Sequence, residues 1–519
     1  MGVKRYTATK DNTITNAFQS NLVTRGTGSN MGASDILEVF SLYGQGNTTS
    51  SAELSRVLLE FPITKIAADR TSGDIPASGS VSFYLRVHNA RHSEQLPRDF
   101  TVNVLAVSQS WQEGHGLDME GYTDETEDAI VGSNWVRRSK TNSWAQIGGT
   151  YHSSTYAPGT TMPNYTFTFE DGDEDILLDV TAAVEEWIAG NQANYGFGIF
   201  LTSSFSALVT ASDSFVLANT AGQKTSFYTK RFFSRTSEFF FKKPNIEARW
   251  DSRRLDNRGN FFYSSSLAPA EDNLNTIYLY NYVRGRLTNI PSVGTGTILV
   301  SIYSGSADDT APFGPKLQPS RNDKASGVGF TGDANNLNIT GGFVATGIYS
   351  CSFAFTGSTS LKTLYDVWHT GSTEFFTGTI KPETLTSPGW NNYPRHTTKI
   401  TNLKPSYVSN EQARFRVFTR VRKSAQTIYS IANLEPENTT IQSASYEVVR
   451  MVDNATVINN STGSSTYHTY LSYDNSGSYF DLDMSLLEPG YLYGIKLAYY
   501  TSVGWREQEE VFKFRVEDN

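Results

Sequence analysis

The stretch SVSFYLRVH, Ser80 to His88, alternates without a slip: Val81, Phe83, Leu85 and Val87 fall on one side, Ser82, Tyr84, Arg86 and His88 on the other. A period of two is the signature of a half-buried strand, because successive side chains leave opposite faces of the pleat. The pattern returns in FTVNVLAV from Phe100 and in ARFRVFTRVR, Ala413 to Arg422. Ser, Thr, Asn and Gly fill the intervals, as turns between antiparallel strands require. The expectation is an all-β, multidomain chain of antiparallel β-sandwiches. At 519 residues the chain exceeds a single ordinary core, and about three domains are expected.

Turn-rich or charged interruptions near residue 252 and over 395–408 divide the chain into 1–252, 253–395 and 396–519. One stretch reads as helix, Leu177 to Asn191, with Val180, Val184, Trp187 and Ile188 on one stripe. Asp179 or Thr181 stands at its start and Gly190 at its end. The middle piece reads as a β domain around TILVSIYSG and SCSFAFTG. The last piece reads as an immunoglobulin- or fibronectin-like sandwich, with LEPGYLYGIKL resembling the turn and strand where such modules pack a corner tyrosine.

A net charge of −9 argues against a general nucleic-acid binder, which needs clustered Lys and Arg. The single cysteine, Cys351, excludes a disulfide framework. No apolar run approaches the roughly 20 residues that span a bilayer, so no membrane partner is expected. The opening MGVKRYTATKDN has no apolar core, and Tyr6 stands where myristoylation needs Ser or Thr. This predicts synthesis in the cytoplasm, or a leader already removed.

The segment WQEGHGLDMEGYTDETEDAIVGSNW, Trp111 to Trp135, sets His115 and seven carboxylates between two tryptophans. His115 has no second histidine at ligand spacing, and His92 and His152 share no motif with it. The segment is expected to be a solvated loop bracketed by buried indoles. A sharper metal candidate is EDGDEDILLD, where Asp171, Asp173 and Asp175 occupy the first, third and fifth places of a calcium-loop register. Ile176 replaces the turn glycine and Ala182 the closing Glu, so the EF-hand match fails. A looser calcium site on those three residues stays open as an alternative to a solvated turn, and no other cofactor is expected. No nucleophile elbow, H-E-x-x-H or phosphate loop occurs, so the chain is expected not to be an enzyme.

The order of segments from YTATKDNTITNAF through SRVLLEFPITKI, VLAVSQSWQEG and LLDVTAAVEEWIAGN to FFSRTSEFFFKKPNIEARW resembles the disaggregatase-related (DNRLRE) family over about residues 5–252. The resemblance implies a jelly-roll or carbohydrate-binding-module-like sandwich in which Trp111, Trp144 and Trp187 pack the interior. The whole chain resembles structural proteins of tailed-phage virions, marine cyanophages included. It implies a component of tail, baseplate, neck or capsid decoration, made in the host cytoplasm and working by assembly in multiple symmetric copies. Other virion proteins are then its partners, with a host-surface glycan as a further one. The alternatives are a bacterial surface or secreted carbohydrate-binding adhesin and, third, a polysaccharide-active enzyme. Arg414, Arg416, Arg420 and Arg422 share one parity and form either a solvated strand face or a docking face for an acidic partner. The basic segment Lys230 to Arg258 is expected to seat on a neighbour as well. Trp368, Trp390, Tyr499, Tyr500 and Trp505 are expected in cores, with sugar stacking as the alternative.

Overall fold

The computed structural model describes residues 2–42, 52–92, 97–117, 132–268, 273–319, 330–331, 337–355, 361–384, 395–422, 438–460, 468–474, 476–501 and 504–518. The chain forms two compact units, Gly2–Asp251 and Ser252–Asn519. Both are built of sheets whose strand pairings are antiparallel except that of Ser406–Val408 with Phe512–Glu517, so the all-β class is observed.

In the first unit one sheet runs Gly2–Thr7, Asn245–Trp250, Val81–Val87, Ile176–Asp179. The facing sheet runs Phe227–Phe233, Ile36–Leu42, Glu53–Glu60, Phe197–Leu201, Phe100–Ala106, Asn164–Phe169, with Lys10–Thr15 also paired to Glu53–Glu60. Val81–Val87 and Phe100–Ala106 both bury every second residue, as their alternation requires. Tyr6, Phe83 and Leu85 from one sheet meet Val57, Val102 and Phe197 from the other in one continuous core.

The helix departs from its expected bounds. Ile176–Asp179 is a strand paired with Val81–Val87, and the helix spans only Thr181–Ile188. Backbone pairing to a neighbouring strand outweighs local helix preference there. Thr181 does not cap it through its side chain; its hydroxyl oxygen accepts from the Phe83 N–H at 2.8 Å. A second helix, Ile63–Ser72, went unpredicted because ITKIAADRTS buries just Ile63 and Ile66 and so carries a weak apolar stripe.

The second unit opens with a seam. Leu255 bridges to Tyr473 and Phe262 to Glu383, while the Arg254 N–H donates to Ser472 Oγ at 2.7 Å. Next comes a sheet ordered Asn275–Tyr280, Ile348–Phe353, Asn338–Ala345, Ile298–Gly305, Leu364–Thr370, Thr373–Ile380, packed on Ile277, Val300, Cys351 and Trp368. The C-terminal sandwich sets His396–Ile400, Gln412–Val421, Gly477–Asp483 and Ser472–Asp474 against Ser406–Val408, Phe512–Glu517, Leu492–Thr501, Ala444–Arg450 and Ala455–Ile458. Tyr446 stacks on Phe480 at 4.1 Å and Phe415 meets Phe514 at 5.9 Å, joining the two layers. In LEPGYLYGIKL, the buried Tyr493 hydroxyl donates to the Glu488 carbonyl at 2.8 Å, five residues upstream. That is the geometry of a tyrosine corner.

Candidate functional site

Most of the charged and aromatic positions singled out by sequence are committed to the fold. Trp111, Trp135, Trp144 and Trp187 are all buried. The indole N–H groups of Trp111, Trp135 and Trp144 donate to the carbonyls of Tyr195, Phe215 and Asn134 at 2.9, 2.7 and 2.9 Å. Glu113, two residues past Trp111, takes a two-pronged ion pair from Arg235 at 2.6 Å and accepts the Asp11 N–H at 2.8 Å. The start of the segment after Trp111 is therefore a structural tie. His115 is exposed beyond it. Residues 118–131, with six of the seven carboxylates, lie outside the described residues, as does Trp390.

The structure does not bring Asp171, Asp173 and Asp175 together as a ligand set. Asp175 turns inward, its Oδ2 2.9 Å from His88 Nδ1 and its Oδ1 accepting the Asn89 N–H at 2.7 Å. Asp171 and Asp173 are exposed, Asp171 lying 3.9 Å from Arg98. Glu174 ties the turn by accepting the N–H groups of Glu170, Asp171 and Gly172 at 2.7, 2.6 and 2.8 Å. The carbonyls that such a turn offers to a cation are already taken. The fully buried Lys230 ammonium donates to Gly172 O at 2.7 Å, Glu174 O at 2.9 Å and Asn89 Oδ1 at 2.9 Å, and lies over the Phe169 ring at 4.6 Å. Burial pulls its pKa down to about 8, against the pull of the nearby Glu174, Asp175 and Asp173, so it keeps its proton at neutral pH. Among the described residues no group of three or more His, Cys, Asp or Glu is placed to hold a metal ion.

The basic segment from Lys230 is mostly internal too. Arg231 pairs with Glu38 at 2.9 Å, and Arg249, with Arg5 and Arg86, surrounds the buried Glu247. Burial alone would raise the Glu247 pKa; the three guanidinium groups reverse that and hold its carboxyl well below the usual range. The segment's outward feature is the turn Phe240–Lys242, where Phe239 and Phe240 are 44% and 64% exposed. Lys242 sits 5.3 Å over the Phe239 ring and Lys243 5.6 Å over Phe240.

The four arginines of the Gln412–Val421 strand region split into two kinds. Arg414 pairs with Asp481 at 2.7 Å and Arg416 with Asp474 at 2.7 Å, both guanidinium groups resting on the Tyr479 ring at 4.3 and 4.9 Å. Arg420 and Arg422 are exposed.

Arg414 and Arg416 form one wall of an open cavity of about 310 Å³ within the second unit. The opposite wall comes from the sequence IYLYNY. Ile277 and Leu279 point into the core, so Tyr278 and Tyr280 must point out, and Tyr282 follows at the same parity. The rings of Tyr278 and Tyr280 stack at 6.1 Å, and Tyr282 is 57% exposed at the rim. Phe376 faces in, with Arg258 5.6 Å from its ring centre. Arg258 is anchored by Asp366, which accepts from Nη2 at 2.7 Å and again from Nη1, and which also accepts the Trp368 indole N–H at 2.7 Å. Gly378 makes that approach feasible, since a Cβ there would lie 2.1 Å from the guanidinium. Asp256 lies on the floor, 3% exposed, its Oδ1 accepting the Arg258 N–H at 3.1 Å. Burial pushes its pKa up to about 6 despite Arg258. The buried hydroxyls of Tyr280 and Tyr479 neighbour one another beside the ladder. The period-two rule could have found its first two rungs, since Tyr278 and Tyr280 alternate along one strand, but Tyr282 lies beyond that strand's end.

The chain matches no family model and no curated protein. Among solved structures it aligns with the crystal structure of DIP-gamma IG1+IG2 at 10% identity and a TM-score of 0.12, covering 47% of this chain and 89% of that one. The all-β class rests on the sheets themselves, not on that alignment. No helix among the described residues is long and apolar enough to cross a membrane.

Proposed function

We propose that this chain is a structural protein of a tailed-phage virion, acting by assembly rather than by turnover. Its first unit would be a disaggregatase-related, carbohydrate-binding-module-like sandwich. The observation that carries the reading is the Phe239–Phe240 tip. Two large apolar side chains stand in solvent beside Lys242 and Lys243, on a unit whose other basic residues near them are mostly consumed by internal pairs. Exposed aromatics next to cations are the composition of an interface anchor, and an acidic, partly apolar patch on a neighbouring subunit would complement them. Arg420 and Arg422 supply a second, purely electrostatic contact on the other unit, and the copies follow the symmetry of the particle.

The test is incorporation. In purified particles the chain should appear by mass spectrometry at a stoichiometric copy number. Phe239→Ser with Phe240→Ser should lower that number sharply while the isolated protein melts as wild type, and Arg420→Glu with Arg422→Glu should lower it less. Absence of the chain from purified particles overturns the reading; incorporation untouched by either pair removes the docking sites.

A further inference from the structure

We infer that the cavity between the tyrosine ladder and the arginine wall is a binding site for a neutral saccharide of one or two rings. The inference is independent of the virion reading and concerns residues within the second unit alone. Three features fix the ligand class.

The first is shape. About 310 Å³ lies at the small end of the roughly 300–1,000 Å³ typical of small-molecule sites, so the occupant is short. The second is the aromatic surface. Tyr278, Tyr282 and Phe376 offer ring faces at and below the rim, and the C–H face of a pyranose packs on such a ring while its hydroxyls stay free to hydrogen-bond.

The third is charge, and it decides between candidates. Arg258, Arg414 and Arg416 each already have a carboxylate, on Asp366, Asp481 and Asp474 respectively. Among the described residues of the lining, a polyanion such as a nucleic acid, a sulfated glycan or a uronate would find no unneutralised cation and would face Asp256 and Asp474 as well. An apolar peptide would strip water from these ion pairs and return no hydrogen bonds. A neutral polyol avoids both costs, because each hydroxyl can donate to a carboxylate oxygen and accept from a guanidinium N–H. The ion pairs also hold those groups still before the ligand arrives, which lowers the ordering cost of binding.

The experiment uses the full chain. Cellobiose, maltose, mannobiose and N,N′-diacetylchitobiose are titrated by saturation-transfer NMR and calorimetry, with a diuronate of matched size as the charged comparator. At least one neutral sugar should bind, and Tyr282→Ala should weaken it by about tenfold or more through loss of one stacking face. Phe376→Ala should act in the same direction. Phe313→Ala, an exposed aromatic of the same unit outside the cavity lining, should leave binding unchanged. Three results overturn the inference: none of the four neutral sugars binds, the diuronate binds best, or binding survives both Tyr282→Ala and Phe376→Ala. Tyr282 is solvent-exposed, so its loss leaves the fold intact, and a matching melting curve for each variant separates lost binding from lost structure.

Discussion

The acidic turn Glu170–Asp175 and the tyrosine ladder Tyr278–Tyr282 present opposite relations between sequence and site. The turn carries the spaced carboxylates of a cation loop, yet its inward oxygens are filled by Lys230 from a strand more than fifty residues away. The ladder bears no charge of its own, yet it borders an open cavity whose charged wall comes from other strands. A linear pattern displays the groups a segment offers, and the fold decides whether the protein itself or a ligand takes them.

The largest effect that would break this comparison is at Lys230. Lys230→Met should leave the Gly172 and Glu174 carbonyls and Asn89 Oδ1 without their donor and destabilise the protein by about 3–5 kcal/mol. That should appear as a fall of roughly ten degrees or more in the melting temperature of the first unit. A Lys230→Met protein that melts alongside wild type would show that the ammonium is a passenger in the turn.

A smaller effect lies at the cavity floor. Asp256 has a folded pKa of about 6, above its ordinary 3.8, so between those values the folded state binds more protons than the unfolded. Its contribution therefore favours folding at low pH and fades as pH rises through about 6, by on the order of 1–3 kcal/mol. Asp256→Asn keeps an oxygen to accept the Arg258 N–H and removes the titration. The difference in stability between the variant and wild type should grow in the variant's favour from pH 4 to pH 7. A flat difference would mean that water or Arg258 already satisfies the carboxylate.

The smallest effect is expected at the exposed end of the turn. Asp171→Asn with Asp173→Asn should shift stability by less than about 0.5 kcal/mol, because solvated carboxylates gain little from one another. The melting temperature should be the same in millimolar calcium and in chelator. A rise of several degrees in calcium that the double variant abolishes would restore the metal reading and remove the contrast.

The fold was legible where one face is buried and the other is not. Val81–Val87, Phe100–Ala106 and Gln412–Val421 bury the predicted side chains because period-two alternation reports burial directly. The start of the helix was not legible: Leu177 and Leu178 fit a helical stripe as well as a strand, and pairing with Arg86 and Leu85 settled the choice. Trp111, Trp135, Trp144, Trp187 and Trp368 are buried as their indoles suggest, but Trp505 is only half-buried and Tyr500, also expected in a core, is 57% exposed. The arginine face was read at the correct parity, but its division into paired Arg414 and Arg416 and open Arg420 and Arg422 depends on Asp481 and Asp474, tens of residues downstream. The cavity was missed for the same reason, since its walls come from five separate stretches of chain.

The seam at the start of the second unit has a consequence in time. Arg254 emerges early, but the serine it bonds to, Ser472, lies 218 residues later. A ribosome adding about 5–20 residues per second needs on the order of ten to forty seconds to make that partner. During that interval the backbone groups at Arg254 and Asp256 that will meet Ser472 and Tyr473 have nothing to bond to but water or another chain. The first unit, whose last strand ends at Trp250, can be complete while the second still waits for its closing contact. Stalling synthesis between residues 260 and 470 should therefore yield chains with a folded front half and an adhesive, unsealed end.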